Sequence, residues 1–281
     1  MIHIYYWDNE VNFGDCLADY LIRKLTGDST FLIQIQKVRR RRIALKTLFS
    51  LRLREFYNLI SYDSIICTVG SILGWGEGKE CVFWGSGFIS YSSKFNQGRV
   101  LCCRGPLSQK KLLTENGIKC DYYADPALLL PLIYTPPKRV LYKIGIIPHW
   151  YNYKYNVYKD IKEHIIDVRT DDIEKVIDDI CSCQFILSSS LHGIIVAHAY
   201  GIPAILIDLG DNQTDGFKFN DYFTSVGIPE YNPFKLSEIL TADVESFFMI
   251  HSSISNISVD ISKRQNDLLK SAPFKLKAEF L

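Results

Sequence analysis

The segment Phe185-Ile-Leu-Ser-Ser-Ser-Leu-His-Gly-Ile-Ile-Val-Ala-His-Ala-Tyr-Gly-Ile-Pro203 decides the fold class of this chain. It opens with an apolar run typical of a buried strand, and its spacing then predicts a helix over 191–200 that Gly201 ends. A second apolar run, over 203–208, follows directly. A strand, a helix and a strand in this order form the unit of a parallel sheet.

The same alternation extends outward from this segment. The residues between Pro131 and Arg139 form a polar, proline-rich stretch typical of a stiff connector. We therefore expect an α/β protein of two doubly wound, Rossmann-like domains, 1–133 and 140–281, that face a cleft; the second includes a C-terminal helix. The further predicted strands are 2–7, 64–69, 81–84, 100–103, 121–124, 143–147 and 165–168, and the further predicted helices are 15–25, 107–116 and 171–181.

Composition and charge narrow the class of protein. The 281 residues carry a formal net charge of +1, which lacks the basic excess of a general nucleic-acid binder. No apolar run approaches the ~20 residues of a membrane-spanning helix, and the first residues resemble a strand rather than a secretory signal. The eight cysteines form no CxxC pair, so we expect reduced side chains that pack as small hydrophobes. These features predict a cytoplasmic protein.

The stretch from Lys37 to Arg54 differs in kind, because it combines many basic residues with apolar residues at helical spacing. A basic amphipathic helix can lie on an anionic membrane surface, which would place the protein at the inner face of the plasma membrane. The alternative is an ordinary surface helix with a solvated face.

The strongest candidate site is the start of the predicted helix at 191. Unpaired N–H groups and the positive end of the helix dipole favour an anion there, and the serines at 188–190 add hydroxyl donors. His192 in the first turn could exchange a proton with that anion. The alternative is a serine cap beside a buried, hydrogen-bonded histidine. His198, deeper in the helix, is expected to be a core residue.

Other candidate residues follow predicted strands. Asn12 and Asp15 follow the first strand, where the alternative for Asp15 is helix capping. Arg104 follows a buried strand, and its guanidinium could bind a carboxylate or phosphate in the cleft, with a structural salt bridge as the alternative. His149 follows the strand predicted at 143–147. The segment 215–222 is expected to be a loop in which Lys218 could neutralise a phosphate.

These stretches, taken in order, resemble the polysaccharide pyruvyltransferase family over residues 1 to about 230. The most specific is the Ser-Leu-His-Gly segment with its downstream Ala-Tyr-Gly-Ile-Pro, and the glycine turns are the least specific. The matching stretches are Asn12-Phe-Gly-Asp15, Gly70-Ser71, Trp84-Gly-Ser-Gly87, Arg104-Gly-Pro106, Asp125-Pro126, Ser188-Ser-Ser-Leu-His-Gly193 and Lys218-Phe-Asn-Asp221.

The resemblance implies a fold like the two-domain GT-B glycosyltransferases, with phosphoenolpyruvate as the donor substrate and no cofactor. It implies that the partner is a saccharide acceptor, free or lipid-linked, and that the product carries a pyruvyl ketal. Some relatives carry arginine where this chain has Ser190, so Arg104 or Lys218 would have to replace that cation.

The resemblance and the positions of residues after the predicted strands together give three sets of candidate residues. His192 and Asp15 would be catalytic: in the mechanism that we hypothesise, His192 is the favoured acid and Asp15, or another group, is the base. The donor-binding residues would be Arg104, Ser189, Ser190, Gly193, His149 and Lys218. The acceptor-binding residues would be Asn12, Gly70 and Ser86.

No metal is expected, since no carboxylate cluster stands out. Two alternatives remain open: a nucleotide-sugar-dependent glycosyltransferase of the same architecture, and a non-catalytic relative that binds a carbohydrate or an anion.

Overall fold

The computed structural model describes residues 1–34, 37–60, 62–155, 161–210 and 215–281. Its first sheet contains six parallel strands in the order β2-β1-β3-β4-β5-β6. The first-half strands are β1 Ile2–Tyr5, β2 Thr30–Leu32, β3 Ile65–Thr68, β4 Cys81–Ser86, β5 Arg99–Cys103 and β6 Tyr122–Tyr123. The first-half helices are α1 Phe13–Thr26, α2 Lys37–Phe49, α3 Leu53–Ile60, α4 Pro106–Asn116 and α5 Leu130–Ile133.

The second sheet contains five parallel strands in the order β11-β10-β9-β7-β8. The α/β class and two parallel sheets are confirmed, and they are consistent with two Rossmann-like domains. The strands are β7 Tyr142–Ile147, β8 His164–Ile165, β9 Cys183–Ser188, β10 Ala204–Asp208 and β11 Phe234–Lys235. The helices are α6 Ile173–Cys181, α7 Leu191–Ala199, α8 Phe217–Ser225, α9 Leu236–Leu240, α10 Val244–Ile250, α11 Ser252–Ser255 and α12 Ile261–Lys270.

Each sheet contains a point where the order of the strands reverses direction. In the first sheet β1 pairs with β2 on one side and with β3 on the other, and in the second β7 pairs with β8 and β9. Ligands of open parallel sheets bind beyond the carboxyl ends of the strands at such switch points. The segments that follow β1, β3, β7 and β9 are therefore the ones that position a site.

The segment 215–222 is a correction to the sequence analysis, which expected a loop. Residues 217–225 form the helix α8. Asp215 Oδ1 accepts a hydrogen bond from the backbone N–H of Phe217 at 3.1 Å, and Gly216 enters the helix with a φ of 83°. Buried Phe217, Tyr222 and Phe223 supply the apolar face that stabilises the helix.

The C-terminal helix packs on the first half of the chain. Trp84 of β4 donates from Nε1 to the carbonyl of Leu268 at 3.0 Å, and Gln265 donates to the carbonyl of Leu128 at 2.8 Å. Beyond α12, the N–H of Lys277 bonds to the carbonyl of Leu25 at 2.9 Å. The division at 133–140 stays a prediction, but by its contacts α12 lies with the first sheet.

The basic stretch 37–54 is not one helix but parts of two, α2 and α3, joined at 50–52. Arg40 on α2 is buried and forms an ion pair with Glu80 at 2.9 Å, so its charge is used internally. Within the described residues no helix is long and apolar enough to cross a membrane.

Candidate active site

A cavity of about 670 Å³ lies beyond the carboxyl ends of both sheets. Its wall is formed by residues that follow β1, β3, β7 and β9, so the two switch points open into one space. The predicted site residues that line it are Asn12, Asp15, Gly70, His149, Ser189, Ser190, His192 and Lys218.

The start of α1 presents a carboxyl group to this cavity. Asn12 caps the helix, because its Oδ1 accepts from the backbone N–H of Gly14 at 3.1 Å, and its Nδ2 donates to Asp15 Oδ2. Asp15 is therefore not the cap. Burial raises the pKa of Asp15 to about 7, although the Asn12 hydrogen bond and the charge of Lys218 oppose the shift. A carboxyl with such a pKa can give or take a proton near neutral pH.

The start of α7 lies on the opposite wall. Ser188 and Ser189 are held by protein groups: Ser188 Oγ accepts from the N–H of Ser190 at 3.0 Å, and Ser189 Oγ donates to Asn152 Oδ1 at 2.8 Å. Ser190 precedes the helix, lines the cavity and makes no side-chain capping bond. The start of α7 therefore lacks a side-chain cap while its residues Leu191 and His192 line the cavity, and an uncapped helix start at a cavity favours an anion.

His192, in the first turn of α7, packs between two groups of the first half. Its Nε2 lies 3.8 Å from Asp125 Oδ2, and both atoms are buried without a hydrogen-bond partner. A Cβ built on Gly14 would lie 2.3 Å from Nδ1. Burial, together with the charges of Arg104, Lys218 and His149, lowers the pKa of His192 to about 3. The ring is therefore neutral in the ligand-free site.

Asp125 is a residue that the sequence analysis quoted only as a family match. It follows β6 and caps the short 3₁₀ turn at 126–129, where Oδ1 accepts from the N–H of Ala127 at 3.0 Å. Burial raises the pKa of Asp125 to about 6. Its second oxygen is left to face His192, so the two side chains form a carboxylate–imidazole pair across the two halves.

Lys218 and His149 add basic groups to the cavity. Lys218 lies in α8 rather than in a solvated loop, and burial lowers its pKa to about 8, with Arg104 adding to the shift and Asp15 opposing it. His149 follows β7, and its backbone N–H donates to Ser189 Oγ at 2.8 Å. Burial, followed by the charge of Lys218, lowers the pKa of His149 to about 3.

Arg104 lies behind the wall of the cavity rather than in it. Its guanidinium is fully buried, donates to Ser71 Oγ and to the carbonyl of Phe88 at 2.8 Å each, and pairs with Asp221 at 3.2 Å. This ion pair is the structural salt bridge that was the alternative to ligand binding for Arg104. Arg104 reaches the cavity only through Ser71, which lines it. Direct contact between Arg104 and a donor stays a prediction that this packing does not favour.

Two other predicted residues also lie outside the cavity lining. Ser86 is fully buried and donates to the carbonyl of Cys67 at 3.1 Å. Gly193 packs against the sheet, since a Cβ there would lie 2.6 Å from Ser188 Oγ. Their roles in the structure are the packing of β4 and α7.

The sequence matches the family model for polysaccharide pyruvyl transferases over residues 43–212, which is more than half of the chain. The chain belongs to this family. The matched range contains Asp125, His149 and the serines and histidine at the start of α7.

Relatives of this family member are distant. An uncharacterised protein of Acanthamoeba polyphaga mimivirus is 25% identical over 99% of this chain and 96% of its own length. The succinoglycan biosynthesis protein ExoV of Rhizobium meliloti is 27% identical over 53% of this chain and 47% of its own length. A solved structure of an uncharacterised Klebsiella pneumoniae protein aligns with a TM-score of 0.39 at 14% identity, covering 79% of this chain and 87% of that one.

The chain also carries aromatic side chains at the cavity that the sequence pattern alone did not single out. Trp7 follows β1 and Trp150 follows β7, and their rings meet across the two halves with centroids 5.2 Å apart. Trp75 and Tyr231 also line the wall. Part of the signal was available, because Trp150 lies three residues after the end of β7, whereas Trp7 was placed inside the strand predicted at 2–7.

Metal ligands are not grouped in the described part of this family member. Among those residues no set of three or more His, Cys, Asp and Glu side chains is placed to hold an ion.

Proposed function

We propose that the protein transfers the pyruvyl group of phosphoenolpyruvate onto two hydroxyls of a saccharide and releases phosphate. The observation that carries this proposal is the uncapped start of α7, which faces Lys218 across one cavity and holds His192. A helix N-terminus and a lysine suit the phosphate and carboxylate of the donor. Family membership supplies the reaction class.

The donor would sit with its anionic groups at α7. Ser190 stands where some relatives carry arginine, and the nearest replacement cation in the cavity is Lys218. The pKa of Lys218, about 8, is lowered by burial, and a bound anion would raise it again. Donor binding would therefore fix the lysine in its charged form.

The proton transfers follow from how the two candidate groups are held. Nε2 of His192 faces Asp125 Oδ2 at 3.8 Å, beyond hydrogen-bond distance, and this carboxylate would favour a proton on Nε2, which would leave Nδ1 as the acceptor nitrogen. His192 then suits the role of base toward a sugar hydroxyl, and Asp125 stabilises the imidazolium that forms. Asp15, with a pKa of about 7, suits the role of acid. This assignment reverses the roles that we expected from the sequence, where His192 was the favoured acid.

The reaction balances with these groups. Asp15 gives a proton to the methylene carbon of phosphoenolpyruvate, and the first sugar hydroxyl adds to the central carbon while His192 takes its proton. The C–O bond to phosphate then breaks, and the second hydroxyl closes the cyclic ketal. One of the two hydroxyl protons returns to Asp15 and the other leaves on the phosphate, so the enzyme ends in its starting state.

The acceptor would occupy the side of the cavity that carries Trp7 and Trp150. Indole rings present flat apolar faces, which pack against the C–H face of a pyranose. Asn12 and Gly70 line the same cavity from the first half, whereas Ser86, the third residue of the acceptor assignment, does not. An extended glycan could lie along this wall with its terminal sugar at Asp15.

Donor binding tests the proposal first. Unfolding midpoints are measured with phosphoenolpyruvate, inorganic phosphate and a panel of nucleotide sugars, since a ligand at ~100 times its Kd adds about 2.7 kcal/mol of stability. The proposal expects a shift with phosphoenolpyruvate that exceeds the shift with phosphate. A shift confined to a nucleotide sugar would support the glycosyltransferase alternative, and donor binding without product on any acceptor would support the non-catalytic one.

A further inference from the structure

The outer face of the α2–α3 hairpin exposes a concentration of large apolar side chains. Of the 19 exposed large hydrophobic residues in the described chain, seven fall within the 16 positions from 45 to 60. Phe49 is 84% exposed and Leu51 is 80% exposed, and exposed apolar area of this extent marks an interaction surface. We name these seven residues the hairpin patch: Leu45, Leu48, Phe49, Leu51, Leu53, Tyr57 and Ile60.

The hairpin is anchored, so its outward face is fixed. Ala44 and Leu59 are buried in the core that contains β3 and β4, and Phe56 packs against the same cluster. His3 of β1 contacts the carbonyl of Asn58 at 2.8 Å. The hairpin patch therefore lies on an element whose position is fixed by packing against the first sheet.

The tip of the hairpin carries a leucine where glycine would fit best. The N–H of Arg52 bonds to the carbonyl of Thr47, and the N–H of Leu51 bonds to the carbonyl of Leu48, which is a Schellman helix end. Leu51 occupies its left-handed position with a φ of 57°, although glycine adopts that conformation without steric cost. Leu51 is exposed at this strained position, and the described structure shows no way in which leucine stabilises the fold there better than glycine would.

Basic residues are interleaved with the patch. Arg41, Arg42, Lys46 and Arg54 are exposed, and no ion pair involves them among the described residues. Arg52 pairs with Glu55 at 3.0 Å, and Glu55 is the sole acidic residue in the sequence 37–60. Apolar side chains with a surrounding set of cations match the interface of a membrane whose headgroups are anionic.

We propose that the hairpin patch docks on an anionic lipid surface. A second copy of the chain fits less well, because a symmetric contact would bring the cations of two patches together. The tip residues 49–53 would enter the headgroup region, and the arginines and Lys46 would contact lipid phosphates. With the proposed function, on which this extension rests, docking makes a lipid-linked saccharide the acceptor class.

The test uses the full chain and vesicles of stated composition. Co-sedimentation is measured with phosphatidylcholine vesicles and with vesicles that contain phosphatidylglycerol, at low and high salt. We expect binding to the anionic vesicles that weakens with salt, since a Debye length shortens from about 30 Å at 0.01 M to about 10 Å at 0.1 M. Equal binding to both vesicle types, or binding to neither, would overturn the proposal.

Three variants identify the surface. Leu51→Gly removes apolar area and relieves the left-handed strain, so its unfolding midpoint should not fall while its vesicle binding drops several-fold. Phe49→Ser should weaken binding by roughly tenfold, in line with the loss of one large buried apolar side chain. Arg41→Gln/Arg42→Gln/Lys46→Gln should weaken it by about a hundredfold at the usual attraction per basic residue.

Matched controls use the same changes elsewhere on the surface. Met249→Ser/Ile250→Ser removes apolar residues that are 76% exposed each, and Lys110→Gln/Lys138→Gln/Arg139→Gln removes three basic residues outside the hairpin. Both should bind like the original chain. Hairpin variants that bind vesicles normally, or that dissociate a dimer seen without lipid, would overturn the lipid assignment. The phosphoenolpyruvate shift of each variant reports the proposed function separately.

Discussion

Gly14 of α1 and His192 of α7 approach so closely that a Cβ on the glycine would lie 2.3 Å from the imidazole Nδ1. The two residues come from different halves of the chain and meet at the edge of the cavity. Glycine is needed there for space and not for backbone freedom, since Gly14 has an ordinary helical conformation. The contact fixes the imidazole from one side while Asp125 faces it from the other.

Gly14→Ala should therefore displace the His192 ring. We expect a loss of about 1–3 kcal/mol in the free energy of unfolding, which is the usual cost of overpacking. In a His192→Ala background the same change should instead be neutral or stabilising, because alanine has the better helix propensity. Chemical denaturation of the four proteins of this cycle measures the coupling. Additive effects would contradict the close contact.

His192→Ala should lower kcat by about 10²–10⁴-fold, which is the usual contribution of a positioned proton-transfer group. Asp125→Asn should also lower kcat, because an amide that donates to Nε2 would turn Nδ1 into a donor. As Asp125 is a positioning residue, the phosphoenolpyruvate-induced shift in unfolding temperature should survive in Asp125→Asn. A normal kcat in this variant would remove the pair from the mechanism.

Asp15 gives stability a pH dependence with a definite sign. Its pKa is raised from 3.8 to about 7 on folding, so between these values the folded chain binds the proton more strongly than the unfolded chain. This group therefore lowers the free energy of unfolding as pH rises from about 4 to about 7. Asp15→Asn should gain stability over the original chain across that window and then stay level.

Urea melts at pH 4, 5.5, 7 and 8 measure this difference, and the exposed Asp28→Asn serves as the charge-loss control. A difference that is constant from pH 4 to pH 8 would mean that the Asp15 carboxyl is ionised normally. Asp15→Asn should also be inactive if Asp15 is the acid.

The buried pair Arg104–Asp221 predicts a different pH response. Arg104→Met leaves the Asp221 carboxylate buried without its cation, which typically costs about 3–5 kcal/mol. Asp221 also accepts from the N–H and Oγ of Ser108, so Asp221→Asn keeps an acceptor there. The double variant Arg104→Met/Asp221→Asn should regain much of the lost free energy of unfolding. Arg104→Met alone should regain stability as the pH falls, because Asp221 then becomes protonated.

This pair of variants also decides the role of Arg104. If Arg104 acts only through structure, the folded double variant should still show a phosphoenolpyruvate shift in thermal unfolding. Loss of that shift with the fold intact would restore Arg104 as a donor ligand.

The tryptophans predict a separation of the two substrates. Trp7→Ala or Trp150→Ala should raise the KM for the saccharide by about tenfold, since stacking on a sugar is lost, and should leave the KM for phosphoenolpyruvate near its original value. Steady-state kinetics with each substrate varied checks this. A change confined to the donor KM would move the donor to the tryptophan side.

Much of the fold was predictable, because apolar runs, first-turn proline and terminal glycines are local signals. Pro106 begins α4 and Gly117 ends it in a left-handed conformation, as the spacing predicted. The segment 215–222 was predicted wrongly, because its polar residues and Gly216 suggest a loop, while the buried aromatic face of α8 forms only against the rest of the protein.

The site was predictable where position after a strand sufficed, as for Asp15, His149 and the start of α7. It was not predictable where distant residues decide a side chain's surroundings. From the sequence, Arg104 was expected to bind a ligand, because its partner Asp221 lies 117 positions later. Asp125 and His192 face each other only because the two sheets pack together. Neither contact can be predicted from the spacing of residues in the sequence.

The hydrogen bonds that join Trp84 to Leu268 and Leu25 to Lys277 have a consequence for biosynthesis. Translation produces the residues of the first sheet well before those of α12. The apolar surface of the first sheet that α12 covers therefore stays exposed until α12 has been synthesised. The first sheet is therefore completed only after α12 has been synthesised. A nascent chain stalled before residue 261 would thus be a target for chaperones, even with both sheets already synthesised.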